Sequence, residues 1–156
     1  MKKVLGFSLL LASFDQIVKI IVNNSMTLNA SITIIKDFFN ITYVHNNGAA
    51  WSLFSGNRFF LIAIAIVALI FIYYFLLKNK KLSKIETITY ILLIGGIVGN
   101  LCDRILFGYV IDYFDFNIFG YEFPIFNIAD IAIVVGVILL IVAIIKGEDK
   151  FEKSSK

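Results

Sequence analysis

Phe59-Phe60-Leu61-Ile62-Ala63-Ile64-Ala65-Ile66-Val67-Ala68-Leu69-Ile70-Phe71-Ile72-Tyr73-Tyr74-Phe75-Leu76-Leu77 contains neither a charge nor a glycine. At 1.5 Å per residue it rises about 28 Å, close to the ~30 Å hydrocarbon thickness of a bilayer. The stretch reads as a membrane-spanning helix, and the rest of the chain agrees with it. Of the 156 residues, 60% are hydrophobic and 16% charged, with a mean hydropathy of +0.90. A soluble domain is nearer a quarter charged. The expected fold is an all-α integral membrane protein, with residues 1–156 as a single membrane domain.

Working outward, three more spans are expected, at about 4–22, 86–106 and 127–145, beside the one at 59–77. Met1-Lys2-Lys3 and the apolar run Val4 to Phe14 resemble a secretory signal peptide. The pattern continues, however, through Asp15-Gln16-Ile17-Val18-Lys19 to Val22, where Asp15 and Lys19 share a helix face. The fourth span is expected to stop at Lys146-Gly147, with a frayed tail from Glu148 to Lys156. Ten of the 14 basic residues (Lys2, Lys3, Lys78, Lys80, Lys81, Lys84, Lys146, Lys150, Lys153 and Lys156) lie at the N-terminus, in the loop between spans two and three, or at the C-terminus. With four spans these places share one side, which basic-residue bias makes cytoplasmic. Lys19, Arg58, Asp103, Arg104 and Asp130 then gather at the opposite, outer boundary.

The segments on that side are not plain connectors. In Ile32 to His45 the residues Phe39, Ile41 and Tyr43 alternate with Asn40 and Thr42, and Asn47-Gly48 signals a turn. Tyr109 to Phe123 is strongly aromatic, with a turn expected around Asn117 to Gly120. A small β platform is expected on the outer leaflet, over about 28–57 and 108–124, with Trp51 as a membrane-interface anchor.

Gly95 to Arg104, Gly108 to Asp112 and Phe126 to Asp130 carry three aspartates, an arginine and two asparagines. A charge at the centre of a membrane helix costs roughly 2.5–3.5 kcal/mol on insertion scales, so such residues need partners and tend to mark working sites. Asp112 and Asp130 fall at one membrane level. Two carboxylates held close share a proton, and one can activate water while the other donates a proton. The alternative is that each caps a helix or faces head-group water. Asp103, Arg104 and Asn100 read as a structural polar network, and Asp15 with Lys19 as an ion pair. Gly95 and Gly99 read as a close helix contact. Single Cys102 and His45 exclude a multi-ligand Cys/His metal site, and no Walker-type phosphate loop is present. Asp103, Asp112, Asp115 and Asp130 could instead hold magnesium, although their spacing suits it poorly. A Ser–Lys dyad is weak, because Ser52 and Ser55 have only Lys19 and Lys36 on their side. A proton-coupled carrier and a structural membrane subunit remain as other classes.

Five motifs in order carry a resemblance. They are Asp15-Gln16-x-x-Lys19, Asn46-x-Gly48-Ala49-Ala50, Gly99-Asn100-x-x-Asp103-Arg104, Gly108-x-Val110-x-Asp112 and Phe126-Asn127-x-Ala129-Asp130. With them the chain resembles the lipoprotein signal peptidase family, the type II signal peptidases. The resemblance implies a bacterial inner-membrane aspartyl peptidase with four helices, an extracytoplasmic β-cradle, cytoplasmic termini and a site at the outer face. It implies removal of signal peptides from prolipoproteins, just before a diacylglyceryl-modified cysteine. Asp112 and Asp130 would be catalytic. Asn46, Gly48, Asn100, Arg104 and Asn127 would line the site; Asp15, Lys19 and Asp103 would support it, Asp103 through Arg104. The implied partners are lipid-modified signal peptides and membrane lipids; no cofactor, metal or nucleic acid is expected.

Overall fold

A computed structural model of the chain describes residues 1–48, 53–78 and 82–154. Ala49, Ala50, Trp51 and Ser52, like Lys80, Lys81 and Lys156, lie outside the described residues. The described elements are α1 (Lys2–Ser25), β1 (Ser31–Ile35), β2 (Phe39–Asn46), α2 (Arg58–Lys78), α3 (Lys84–Leu106), β3 (Val110–Ile118), β4 (Tyr121–Glu122) and α4 (Ile128–Ser154).

The helices bury charged as well as apolar side chains and leave many large apolar ones exposed, unlike a water-soluble bundle. On α1 the buried face is Val4, Ser8, Ala12, Asp15, Lys19 and Val22. Asp15 is 0% and Lys19 1% exposed, whereas Leu9 and Leu10 are each 64% exposed. That pattern suits lipid surroundings, where apolar side chains need no burial. Among the described residues, three helices are long and apolar enough to cross a membrane: Lys2–Ser25, Lys84–Leu106 and Ile128–Gly147. In α2 the segment Arg58–Tyr74 is apolar but shorter.

Glycines set the helix spacing. A Cβ on Gly95 would lie 2.8 Å from Leu11 Cδ2, and one on Gly99 would lie 2.7 Å from Asp15 Oδ2. Both therefore press against α1, as the Gly-xxx-Gly spacing suggests. Gly96 and Gly136 do the same between α3 and α4: their Cβ positions fall 2.5 Å from Ala129 O and 2.8 Å from Leu93 Cδ2. These contacts also give direction. Ser8 reaches Ile91 and Gln16 reaches Gly99, so α1 and α3 run parallel. Leu93 meets Gly136 while Gly96 meets Ala129, so α4 is antiparallel to α3. Arg58, at the start of α2, donates to Ile105 O at the end of α3 (2.8 Å). The ends of α1 and α3 and the starts of α2 and α4 therefore share one end of the bundle.

The antiparallel sheet, in order β1-β2-β3-β4, sits at that end. Its Tyr43, Ile111 and Tyr113 bury against Val22 of α1, with Val18, Met26 and Ile128 around them. In β2–β3 the register pairs Phe39 with Phe116 and Ile41 with Phe114, then shifts so that Val44 pairs with Asp112 and Asn46 with Val110. The irregularity between Ile41 and Val44 has the two-against-one character of a bulge, which bends the strand locally.

Every helix departs from its expected bounds, the first running Lys2–Ser25 and the second Arg58–Lys78, and at two boundaries the cause is visible. The third helix starts at Lys84 because Ser83 and Glu86 form a capping box: Glu86 N–H donates to Ser83 Oγ (3.2 Å) and Ser83 N–H to Glu86 Oε2 (2.7 Å). The fourth continues through Gly147 to Ser154 instead of stopping at Lys146-Gly147. One interior glycine costs only about 1 kcal/mol, and the sequence beyond it contains no proline.

Candidate active site

The end of the bundle nearest the sheet gathers the polar residues of all five motifs. Asp130 lies in the first turn of α4, and Asn127 stands just before that helix. The two close a reciprocal cap. Asp130 N–H donates to Asn127 Oδ1 (3.0 Å) and Asn127 N–H to Asp130 Oδ2 (3.1 Å). This is the arrangement of a capping box, built from Asn and Asp. The other first-turn donors are also met: Ile128 N–H by the Tyr113 hydroxyl (3.3 Å), Ala129 N–H by Asp15 Oδ1 (3.0 Å) and Ile131 N–H by Asn127 O (3.3 Å). The helix start that aims Asp130 therefore leaves no orphan N–H.

Asp112 comes from β3 and is 1% exposed. Asn127 ties it to Asp130. The amide that caps α4 also donates through Nδ2 to Asp112 Oδ1 at 2.7 Å. Asn46 Nδ2 donates to Asp112 Oδ2 (2.8 Å), and Asn100 Nδ2 to Asp130 Oδ1 (2.7 Å). Each of the four carboxylate oxygens thus accepts one N–H. Burial, and next the charge of Asp130 facing it, raise the Asp112 carboxyl from 3.8 to about 7. At neutral pH this pair holds a proton that two exposed aspartates would have lost. On the same face of β3, Phe114 and Phe116 follow Asp112 at two-residue spacing. Phe116 stacks on Phe39 (4.5 Å) and on Phe126 (5.7 Å), which makes that end of the sheet aromatic.

Comparison with known proteins decides the family. The signal peptidase (SPase) II family model matches residues 7–146. The chain belongs to the signal peptidase II family. Lipoprotein signal peptidases of Staphylococcus aureus strains JH9 and Newman are 44% identical to it, over 99% of this chain and 98% of theirs. Among solved structures, a bacterial membrane enzyme determined by the in meso method at 2.3 Å resolution superposes with a TM-score of 0.88. It is 40% identical and covers 96% of this chain and 92% of that one. A second, at 1.9 Å, gives 0.83 at 41% identity, with 94% of each chain covered.

In this signal peptidase II chain, ten residues singled out from the sequence stand together. Asp15 and Lys19 form the expected ion pair at 2.8 Å, but Lys19 Nζ also reaches Asp103 Oδ2 at 2.9 Å and Asn100 Oδ1 at 2.9 Å. The pair therefore joins α1 to α3 rather than bracing α1 alone. The expected support of Arg104 by Asp103 takes a different form. Asp103 faces α1, where it also accepts from Gln16 Nε2 (2.7 Å), and its Oδ2 accepts from Ile111 N–H (3.1 Å). Arg104, about 100° further round the helix, donates to Gly48 O (2.7 Å) and Asn100 O (3.4 Å). Gly48 in turn donates its N–H to Asn46 Oδ1 (2.9 Å).

Asp115 stands apart from the carboxylate pair, accepting from Thr42 on the sheet (2.6 Å). Arg58 caps the end of α3 and is not in the cluster. His45 stacks on Tyr109 with ring centroids 3.6 Å apart. Sequence reasoning assigned no role to Gln16 or Tyr113. Gln16 carried a signal, standing inside the first motif beside Asp15. Tyr113 carried none, because its hydroxyl meets α4 only in the folded chain.

Proposed function

We propose that this signal peptidase II chain is an aspartyl endopeptidase that removes the signal peptide of diacylglyceryl-modified prolipoproteins, cutting just before the lipidated cysteine. The observation that carries the aspartic assignment is Asn127, which holds Asp112 through its side chain and Asp130 through its backbone. Names of relatives 44% identical over nearly the whole chain support the prolipoprotein substrate. The same reading takes residues 1–156 as one domain. It makes four helices membrane spans, the sheet an extracytoplasmic cradle and both termini cytoplasmic.

The chemistry follows from the pair. A water held between the carboxylates loses a proton to the ionised one, and its oxygen attacks the scissile carbonyl carbon. The tetrahedral intermediate collapses, and the leaving amine takes a proton from the protonated carboxyl. Asp112, pushed up to about 7, suits the proton-carrying role. Asp130 suits the ionised role, because a carboxylate is favoured in the first turn of a helix. Asn46, Asn100 and Asn127 orient the pair, and Arg104 with Gly48 holds the loop after β2 beside it. Substrate helices reach the site laterally from the bilayer, because the carboxylates lie where α4 begins, level with the sheet. A carrier would hold its carboxylates near the bilayer midplane.

The test uses purified protein in detergent, a lipid-modified precursor and its unlipidated twin, with products read by mass. We expect cleavage of the lipidated form only, retained after exhaustive chelation. Asp112→Asn and Asp130→Asn should each abolish it while the protein stays folded. Full activity in either variant ends the aspartyl assignment.

A further inference from the structure

The cluster beneath the carboxylate pair is arranged with respect to both aspartates. Lys19 is 1% exposed and its ammonium has three donors and no acceptor. It forms ion pairs with Asp15 and Asp103 and donates to Asn100. Each of its two carboxylate partners then grips a backbone N–H with a bond of its own. Asp103 takes Ile111 N–H, one residue before Asp112, at 3.1 Å. Asp15 takes Ala129 N–H, one residue before Asp130, at 3.0 Å. The two segments that present the pair are therefore tied to a single nitrogen, each through one carboxylate.

The third arm helps to fix direction. Lys19 can only donate, and Asn127 Nδ2 also donates to Asn100 Oδ1 (3.1 Å), so Asn100 turns its oxygen towards both and its Nδ2 donates to Asp130 Oδ1. Asn46 and Asn127 are held the same way round by backbone N–H groups, those of Gly48 and Asp130. Of the three amides that orient the carboxylates, only Asn100 takes its direction from side chains, those of Lys19 and Asn127.

We infer that the Asp15–Lys19–Asp103 cluster is a positioning device for the peptidase reaction, setting the separation of Asp112 and Asp130 and, together with Asn127, the polarity of the donor on Asp130. The inference rests on the aspartyl reading above. Lys19 is a positioning residue and touches no substrate. A cluster that merely held α1 against α3 would have no need to grip the backbone beside both aspartates.

The deciding variant is Lys19→Met with Asp103→Asn. Lys19→Met alone strands two buried acids and unfolds the site. The double change keeps the cluster's net charge and leaves Asp15 against the start of α4. With lipidated precursor we expect kcat to fall about tenfold to a hundredfold, as for a small misplacement of reacting groups, with KM near the parent value. The acid limb of the pH–rate profile should move to higher pH, because one of the two donors that aim the Asn100 amide at the base is lost. A folded double variant with parental kcat and pH profile, whatever its Tm, overturns the inference. So does a double variant that does not fold, since that assigns the cluster to stability alone. Asp112→Asn is run alongside: activity there removes the aspartyl reading itself, whereas inactivity there with a parental double variant removes only the role of Lys19.

Discussion

Among the polar residues at the sheet end, Asn127 carries two loads that substitution can separate. Its oxygen caps α4, and its Nδ2 holds Asp112. Serine is as good an N-cap as asparagine but has no amide to donate to the carboxylate. Asn127→Ser should therefore keep the cap but lose most of kcat, with about 1–3 kcal/mol of stability lost because the buried Asp112 oxygen is left unpaired. Asn127→Ala should lose the cap as well, at about 1 kcal/mol of stability. Thermal unfolding and precursor cleavage on the same preparations check both, and an active Ser variant would show that the bridge is dispensable. Asp112 gives a second prediction at this scale, with a defined sign. Its folded value of about 7 lies above its ordinary 3.8, so folding holds a proton there. The stability this contributes is complete below about 3.8 and is lost as pH rises through about 7. Asparagine has no proton to lose. Asp112→Asn, though inactive, should unfold at a higher temperature than the parent at about pH 8, with the gap closing towards about pH 4. A parent that is the more stable of the two at the higher pH would contradict the buried, proton-holding carboxyl.

Between elements, glycines decide how closely α3 approaches its neighbours. A Cβ on Gly96 would come within 2.5 Å of Ala129 O, a backbone atom in the turn that aims Asp130. That atom cannot rotate away, so Gly96→Ala should push the start of α4 outward. We expect a loss of about 1–3 kcal/mol, as for other overpacked contacts, and a larger proportional loss of cleavage. Gly6, also in a helix, has nothing within 4 Å of its Cβ position. Gly6→Ala should be neutral or stabilising by up to about 1 kcal/mol, with activity unchanged. If both variants behave alike, the α3–α4 contact does not set the site. This scale also separates what the sequence discloses from what it hides. Runs of apolar residues, the alternation in β2 and the level of each charge are local properties, and they were readable. The choice of partner was not. Lys19 and Asp103 are 84 positions apart, and helical spacing could offer Lys19 only Asp15, just as adjacency suggested Arg104 for Asp103. Those choices depend on α1 and α3 running parallel with Gly99 between them, which only packing reveals. Likewise the extension of α4 to Ser154 follows from helix-forming residues that an apolar pattern ignores.

At the scale of the molecule, helix directions and basic residues make independent statements about orientation. Contacts put the starts of α1 and α3 and the far end of α4 at one pole, and the sheet with the carboxylates at the other. Charge divides the same way: among the described basic residues only Lys19, Lys36, Arg58 and Arg104 belong to the sheet pole, and Lys19 is wholly buried. If four helices span, basic-residue bias faces the sheet pole outward. The function proposed above also requires that pole to face outward. The two arguments would part company if α2, whose 21 residues rise about 31 Å, lay along the surface instead. Then α1 and α3 could not run parallel through the bilayer, because a connection spanning it would be missing. Single cysteines in a background with Cys102→Ser separate the cases. In intact cells a membrane-impermeant maleimide should label Lys36→Cys and Glu122→Cys, both exposed on the sheet. It should label Lys84→Cys and Lys146→Cys only after the membrane is opened. Labelling of all four from outside would refute the four-span arrangement, and the reverse pattern would put the carboxylates on the face where no lipidated precursor presents its cleavage site.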